Sequence, residues 1–161
     1  IMIDTNNFVN RTGVRTFEAA AFLRRCGADI TLVRKMFRDD MESYRAKAEI
    51  ISSAEVYLEK FAIARGENLH IESPTIIGAQ AANELLDINE VKASFVLTEY
   101  NGKIYISARS IDEVNVQIIM ERLGGGGHMN ASGAQFNHTD MEEAVASLKQ
   151  VINDMTEGGD I

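Results

Sequence analysis

An α/β fold is predicted for this chain: a mixed sheet of about five strands with flanking helices, preceded by a mainly helical segment. Three observations predict it. Two alternating runs, 93–100 and 103–110, flank Asn101-Gly102, the dipeptide of a two-residue type I′ hairpin. Apolar residues recur at three- and four-residue steps over 14–25, 116–123 and 141–155, the period of an amphipathic helix. Ser73-Pro74 opens a further helix, with Ser as N-cap and Pro at the first helical position.

In chain order, residues 1–8 read as the end of a buried strand, apolar at Ile1-Met2-Ile3 and abruptly polar at Asp4-Thr5-Asn6-Asn7. A helix runs from Val14 to Arg25, with Thr12 as N-cap and Gly27 as stop. Cys26, beside Phe22 and Leu23 in that pattern, reads as a small core residue in a reducing compartment. A short helix over 29–37 is expected to bury Leu32, Val33, Met36 and Phe37. A long helix over 40–60 follows, with Met41, Tyr44, Ala48, Ile51 and Leu58 on its stripe. It has neither Gly nor Pro and reads as a connector, which puts a domain boundary near residue 58 and divides the chain into 1–58 and 59–161. Phe61 to Arg65 is then a strand, and Leu69 to Glu72 a further candidate.

The Asn-Gly turn fixes the hairpin register and hence its faces. Phe95 opposes Ala108, Leu97 opposes Ile106 and Glu99 opposes Ile104, a mostly apolar face that should pack on helices. The other face carries Ser94, Val96, Thr98, Tyr105, Ser107 and Arg109 and reads as polar, with Arg109 at the strand end just before Ser110. Asp112 is the expected cap of the next helix, whose stripe is Val116, Ile119, Met120 and Leu123. The last helix opens on the capping box Thr139-x-x-Glu142 and should bury Met141, Ala144, Val145, Leu148, Ile152 and Met155.

Between those two helices stands Gly124-Gly125-Gly126-Gly127-His128. Each glycine forgoes roughly 0.5–1 kcal/mol relative to Ala where regular structure would form. Such a run is kept where something approaches the backbone closely, and successive unhindered N–H groups can cradle a phosphate. His128 adds a directed donor at the rim. No Gly-Lys-Ser/Thr ends the run, so it is not a P-loop, and a strand-like rather than helical segment follows it. Nucleoside triphosphate binding is not expected. A flexible linker is the plain alternative.

The chain has 161 residues, 45% of them hydrophobic, and a net charge of −8. That charge opposes binding to long DNA or RNA, whose affinity comes mainly from phosphate neutralisation, and favours a small anion held by a few local donors. No apolar run approaches the length of a membrane span, so the fragment is expected to be soluble. One cysteine and three histidines, without metal-ligand spacing, give no zinc site. The opening Ile1-Met2-Ile3-Asp4 reads as mid-strand, as in a piece of a longer protein.

Ser107-Ala108-Arg109-Ser110, then a helix, then the Gly-Gly-Gly-His run resembles the DHH-associated domain of the DHH phosphoesterases. Upstream, DTNNF at 4–8 and RTGVRTFEAAAFLRRCGAD at 11–29 resemble the end of a DHH domain, in wording nearest the membrane-anchored cyclic di-AMP phosphodiesterases of Gram-positive bacteria. The resemblance covers the whole chain, with 1–58 as the tail of the catalytic domain and its connecting helix, and 59–161 as the associated domain. It implies a hydrolase with two manganese ions on carboxylates and histidines, the metal pair activating water against a phosphodiester. Carried over, Asp4 matches the last metal-ligand motif; Arg109, Ser110, Gly125, Gly126, Gly127 and His128 match substrate-binding motifs, with Gln135 and Asn130 as candidates for the base edge. The other three metal-ligand motifs of the family are absent from this sequence, so the fragment itself is expected to be inactive.

The implied partner is cyclic di-AMP or another short dinucleotide, with no long nucleic acid. Membrane contact comes only through segments outside this sequence, which would put the intact protein at the cytoplasmic face of the membrane; a homodimer is possible. Two other functions stay open: cleavage of very short RNA or linear dinucleotides by the same family, and a non-catalytic RNA-contacting module like that of an alanyl-tRNA synthetase. Read from pattern alone, Asp4 is a loop cap after a strand, and Arg109 a solvated ion-pair partner. His70 and His138 read as structural loop residues.

Overall fold

The computed structural model describes every residue except Asn6, Asn10, Arg11 and Asp112. It divides into two compact units, Ile1–Asp39 and Asp40–Ile161.

The first unit holds two helices, α1 (Val14–Arg25) and α2 (Ile30–Met36). Residues 2–5 and 7–9 form turns rather than the end of a strand. The Thr5 hydroxyl donates to the Ile1 carbonyl and accepts from the Phe8 amide, which folds the segment back on itself. The N-cap of α1 is Gly13, one residue after Thr12, and the Thr16 hydroxyl accepts the Gly13 amide. Gly27 ends the helix at φ +100°. Asp29 caps α2 by accepting from the amides of Thr31 and Leu32 at 2.8 and 3.2 Å. Neither helix has a buried residue. Leu32, Met36 and Phe37 are exposed, Val33 is only half-buried and Cys26 lies at the surface, contrary to expectation. Within the unit Phe8 stacks on Phe17 with ring centroids 5.5 Å apart, but among the described residues that contact buries no residue of either helix.

The second unit is a six-stranded mixed sheet with helices on both faces, one strand more than expected. Helix α3 (Met41–Ser52) is followed by β1 (Glu55–Tyr57) and β2 (Phe61–Gly66); then come α4 (Pro74–Leu85), β3 (Ala93–Tyr100) and β4 (Lys103–Ser110). Helix α5 (Val116–Arg122), β5 (Gly126–His128), β6 (Ala131–Asn137) and α6 (Met141–Gly158) complete it. The sheet order is β1-β2-β3-β4-β6-β5, and only β2–β3 is parallel. Helix α4 makes that crossover, which a parallel pair requires.

The expected long helix over 40–60 thus stops at Ser52, and its tail becomes an edge strand. Its buried residues are Ala46 and Ile50, not the Met41–Tyr44–Ala48 stripe, because α3 packs on α4 and β2. Leu69–Glu72 is irregular connection, not strand. Pro74 does open α4, although the Ser73 side chain makes no cap bond. Asn115, rather than Asp112, caps α5 by accepting the Gln117 amide; Asp112 lies outside the described residues. Asp140, one residue after Thr139, caps α6 by accepting the Glu143 amide at 2.8 Å.

The hairpin has the expected register throughout, and Asn101 and Gly102 sit at φ +51° and +68°, as a type I′ turn requires. One sheet face buries Phe61, Ile63, Phe95, Leu97, Ile104 and Ile106 against α5 and α6. All six residues expected from α6 are buried there, and Leu148, Ile152 and Met155 are each worth roughly 1.5–3 kcal/mol of burial. The other face is not uniformly polar. Helix α4 covers it over β2 and β3, burying Ala62, Ala64, Val96 and Thr98, and the Ser94 hydroxyl donates to the Ala82 carbonyl at 2.6 Å. Beyond α4 the same face stays open over β4, β6 and β5, and there the candidate site lies.

Candidate functional site

Two registers build the open face. Strand β4 pairs with β6 and β6 with β5, so Arg109, Ala131 and His128 form one cross-strand row and share a face. Ser107, Gly133 and Gly126 form the next row, and Tyr105 stands opposite Gln135. Two strand spacings separate Arg109 from His128, about 10 Å between Cα atoms, with only the Ala131 methyl between them. A groove of roughly 540 Å³ runs along this face, bordered by Thr75, Tyr105, Ser107, Gly133, Gln135 and Asn137. Among the described residues no carboxylate lines it, in a chain whose net charge is −8.

Arg109 is half-buried, and burial pushes its pKa down from the ordinary arginine value. The guanidinium nevertheless stays charged, as arginine does in proteins. Its Nη1 donates to the Ala108 carbonyl at 2.8 Å, and among the described residues no carboxylate pairs with it. A partly desolvated cation with no counter-charge among the described residues suits an anion, because leaving water costs it free energy that an arriving anion would return. The planar fork suits a phosphate bidentately.

The glycine run divides between two jobs. Leu123 ends α5, Gly124 sits at φ +78°, and the amides of Gly124 and Gly125 donate to the carbonyls of Glu121 and Met120 at 3.0 and 2.8 Å. That is a Schellman closure. The first two donors are therefore used, and the run is not a nest of four free N–H groups. Gly126 to His128 then form the edge strand, and side chains have no room at two positions of the run. A Cβ on Gly125 would lie 2.1 Å from the Gly133 carbonyl oxygen, and one on Gly127 would lie 2.6 Å from Ser132 Cα. Gly126 has nothing within 4 Å of its Cβ position and shares the row of Ser107 and Gly133.

His128 is exposed at the end of β5. The return loop of residues 129–130 is tied down from two sides: Ser110 donates its amide to the Asn130 carbonyl at 3.2 Å, and Val116 donates to the Met129 carbonyl at 2.9 Å. The Ser132 hydroxyl also donates to the His128 carbonyl at 2.9 Å. Ser110 is buried, strand alternation turns its side chain to the face opposite Arg109, and its hydroxyl donates to the Met129 carbonyl at 3.4 Å. Asn130 is half-buried in the loop, and Gln135 is exposed on the groove face. Arg109, Gly126, His128 and Gln135 therefore meet on one surface, with Gly125 and Gly127 shaping its edge and Ser110 behind it.

Asp4 belongs to the first unit, and its side chain is 87% exposed. Among the described residues no cluster of three or more His, Cys, Asp or Glu is placed to hold a metal ion. The carboxylate chemistry suits a hard divalent ion, but one carboxylate does not make a metal centre, so the chain's own residues do not fit a metal pair.

Sequence reading missed Tyr105, Asn137 and Thr75 as groove residues. The hairpin register already put Tyr105 and Ser107 beside Arg109. What no local signal supplies is the β4–β6 pairing, since the two strands are joined through α5 and β5 rather than by a turn.

The DHHA1 domain matches residues 60–154. Over 160 residues the chain is 44% identical to the cyclic-di-AMP phosphodiesterase GdpP of Geobacillus thermodenitrificans, covering 99% of this chain and 24% of that protein. It is 42% identical over 154 residues to the cyclic-di-AMP phosphodiesterase PdeA of Listeria monocytogenes, covering 95% and 23%. The chain thus spans about a quarter of the length of these relatives. An exopolyphosphatase-related protein from Bacteroides fragilis has a similar structure, with a TM-score of 0.86 at 26% identity, covering 96% of this chain and 47% of that one. On the match over 60–154 and the fold that carries it, this chain belongs to the DHHA1 domain family.

Proposed function

We infer that this chain is the substrate-holding part of a phosphodiesterase that opens cyclic di-AMP to linear pApA. The observation that carries the reading is Arg109: a half-buried cation with no carboxylate partner among the described residues, in one row with His128, beside a floor stripped of side chains at Gly126 and Gly133. The likeness to GdpP and PdeA supports the choice of a cyclic dinucleotide.

In this reading Arg109 grips a phosphate through its fork, and His128 donates to the same or the neighbouring phosphate. The Gly126 position lets the ligand approach the backbone where any side chain would stand in the way. In the family's terms residues 1–58 would close the catalytic domain and 59–161 form the associated domain, although α3 and β1 pack within the second unit, Asp40–Ile161. Two manganese ions, held mostly by residues outside this chain with Asp4 as one ligand, would supply the activated water. This chain binds and orients and does not hydrolyse. No helix among the described residues is long and apolar enough to cross a membrane, so anchoring of the longer protein at the cytoplasmic face belongs to other segments.

Amide NMR during titration with cyclic di-AMP, then pApA, tests this. Binding by half a clamp is expected near millimolar, about 4 kcal/mol. Saturable shifts should centre on residues 109–110 and 124–130 and vanish in Arg109→Ala and His128→Ala. Absence of those shifts, or their persistence in Arg109→Ala, would overturn the reading. A stronger response to pApA would move the assignment to linear dinucleotides.

A further inference from the structure

The groove, whose lining reaches Ser107 one row short of Arg109, carries three side chains that anion binding leaves unused: Tyr105, Gln135 and Asn137. Tyr105 and Gln135 are direct cross-strand partners, so their Cβ atoms lie about 5 Å apart on one face. The Tyr105 ring leans on Tyr100, with centroids 6.5 Å apart and planes at 50°, and it also borders the groove. Gln135 Nε2 donates to Asn137 Oδ1 at 3.0 Å.

That last bond determines what Gln135 offers a ligand. One Nε2 hydrogen is taken, which fixes the amide's orientation and leaves its second hydrogen and the whole Oε1 acceptor. An adjacent donor and acceptor on one amide pair bidentately with the N6 donor and N7 acceptor of adenine. Guanine presents two acceptors on that edge, O6 and N7, so Oε1 would meet a lone pair. The register sets the distance to the anion end. Arg109 lies four residues along β4 from Tyr105, about 14 Å, with only Ser107 and the bare Gly133 floor between.

We propose that Tyr105, Gln135 and Asn137 form an adenine-reading subsite. Tyr105 is the stacking platform, Gln135 reads the base edge, and Asn137 is the positioning residue that orients the Gln135 amide. The proposal rests on the dinucleotide reading of the Arg109 site and adds to it the residues that read the base. The plain rival is a solvated pair on an exposed strand, which gives no preference among bases.

The test compares the affinities of this chain for cyclic di-AMP and cyclic di-GMP by NMR titration. Wild type is expected to prefer cyclic di-AMP by roughly 5- to 100-fold, the range one bidentate amide–adenine pair supplies. Gln135→Leu should bring the ratio close to unity, and Gln135→Arg should reverse it, because guanidinium donors match O6 and N7. Asn137→Ala should lower the ratio severalfold, while Asn137→Asp, which keeps an acceptor for Nε2, should restore it. Arg109→Ala should weaken both ligands alike. Arg109-dependent binding of both ligands with a ratio near unity, or a ratio unmoved by Gln135→Leu, overturns the subsite and leaves the anion reading standing. If neither ligand binds, the anion reading falls and the subsite with it.

Discussion

The four glycines after α5 are not equivalent, and alanine substitution at each should separate them. At Gly125 an added Cβ meets the Gly133 carbonyl oxygen at 2.1 Å and Ala134 Cα at 2.7 Å, both fixed parts of the sheet. Neither can give way without moving β6, so Gly125→Ala is an overpacking change of about 3 kcal/mol. Gly127→Ala adds backbone strain at φ +147° to a contact at 2.6 Å and should be worse by about 1–3 kcal/mol. Gly124→Ala meets no atoms but must hold φ +78°, a cost of about 1–2 kcal/mol. Gly126→Ala meets nothing and needs no left-handed backbone, so its effect should stay within about 0.5 kcal/mol. Urea unfolding followed by far-ultraviolet circular dichroism reads the series. With a slope near 1.5 kcal/mol per molar, Gly125→Ala should lower the midpoint by about 2 M, and Gly126→Ala should leave it in place. Equal destabilisation by Gly125→Ala and Gly126→Ala would refute the division of the run into a packed half and an open half. Gly126→Ala should also weaken cyclic di-AMP binding at unchanged stability, which isolates the ligand's use of that position.

Two further expectations concern the scaffold. The Asp40 carboxylate accepts from the Ser43 amide and hydroxyl and from the Glu42 amide, which hold its pKa below the usual 3.8. A depressed folded pKa means that the cap's contribution is present above 3.8 and is lost as pH falls through the folded value; an NMR titration midpoint at or above 3.8 would contradict it. Leu148→Ala, at a fully buried position of α6, should cost about 2–5 kcal/mol and lower the melting temperature by roughly 4–20 °C. A loss under about 1 kcal/mol would mean that α6 does not clamp the sheet as described.

Those elements whose determinants are local could be read from the sequence. Asn101-Gly102 sets the hairpin by turn chemistry alone, and every pair expected from it forms. The six apolar positions of α6 lie on one stripe and all are buried. Strand β1 was hidden because its turn into β2 uses Leu58 and Glu59 at φ +48° and +60°, where a glycine or asparagine would have announced it. Alanine- and glutamate-rich sequence then passes for helix until pairing with β2 overrides propensity. The caps at Gly13, Asn115 and Asp140 differ from those expected by one to three residues, since several polar residues compete at each start and only the tertiary entry angle selects one. Site residues were legible as types in order along the chain; the row that brings Arg109 to His128 was not, because it depends on a pairing between strands separated by a helix.

The return loop of residues 129–130 is held by the last amide of β4 and the first amide of α5, both rooted in the same apolar core. Its opening therefore has no low-energy route of its own: releasing His128 means breaking bonds that belong to the sheet and to a packed helix. Protection against hydrogen exchange at Ser110 and Val116 should approach that of global unfolding, unlike the behaviour of a lid. The loop is thus a rigid edge of the open face rather than a hinge, held by bonds that only unfolding breaks.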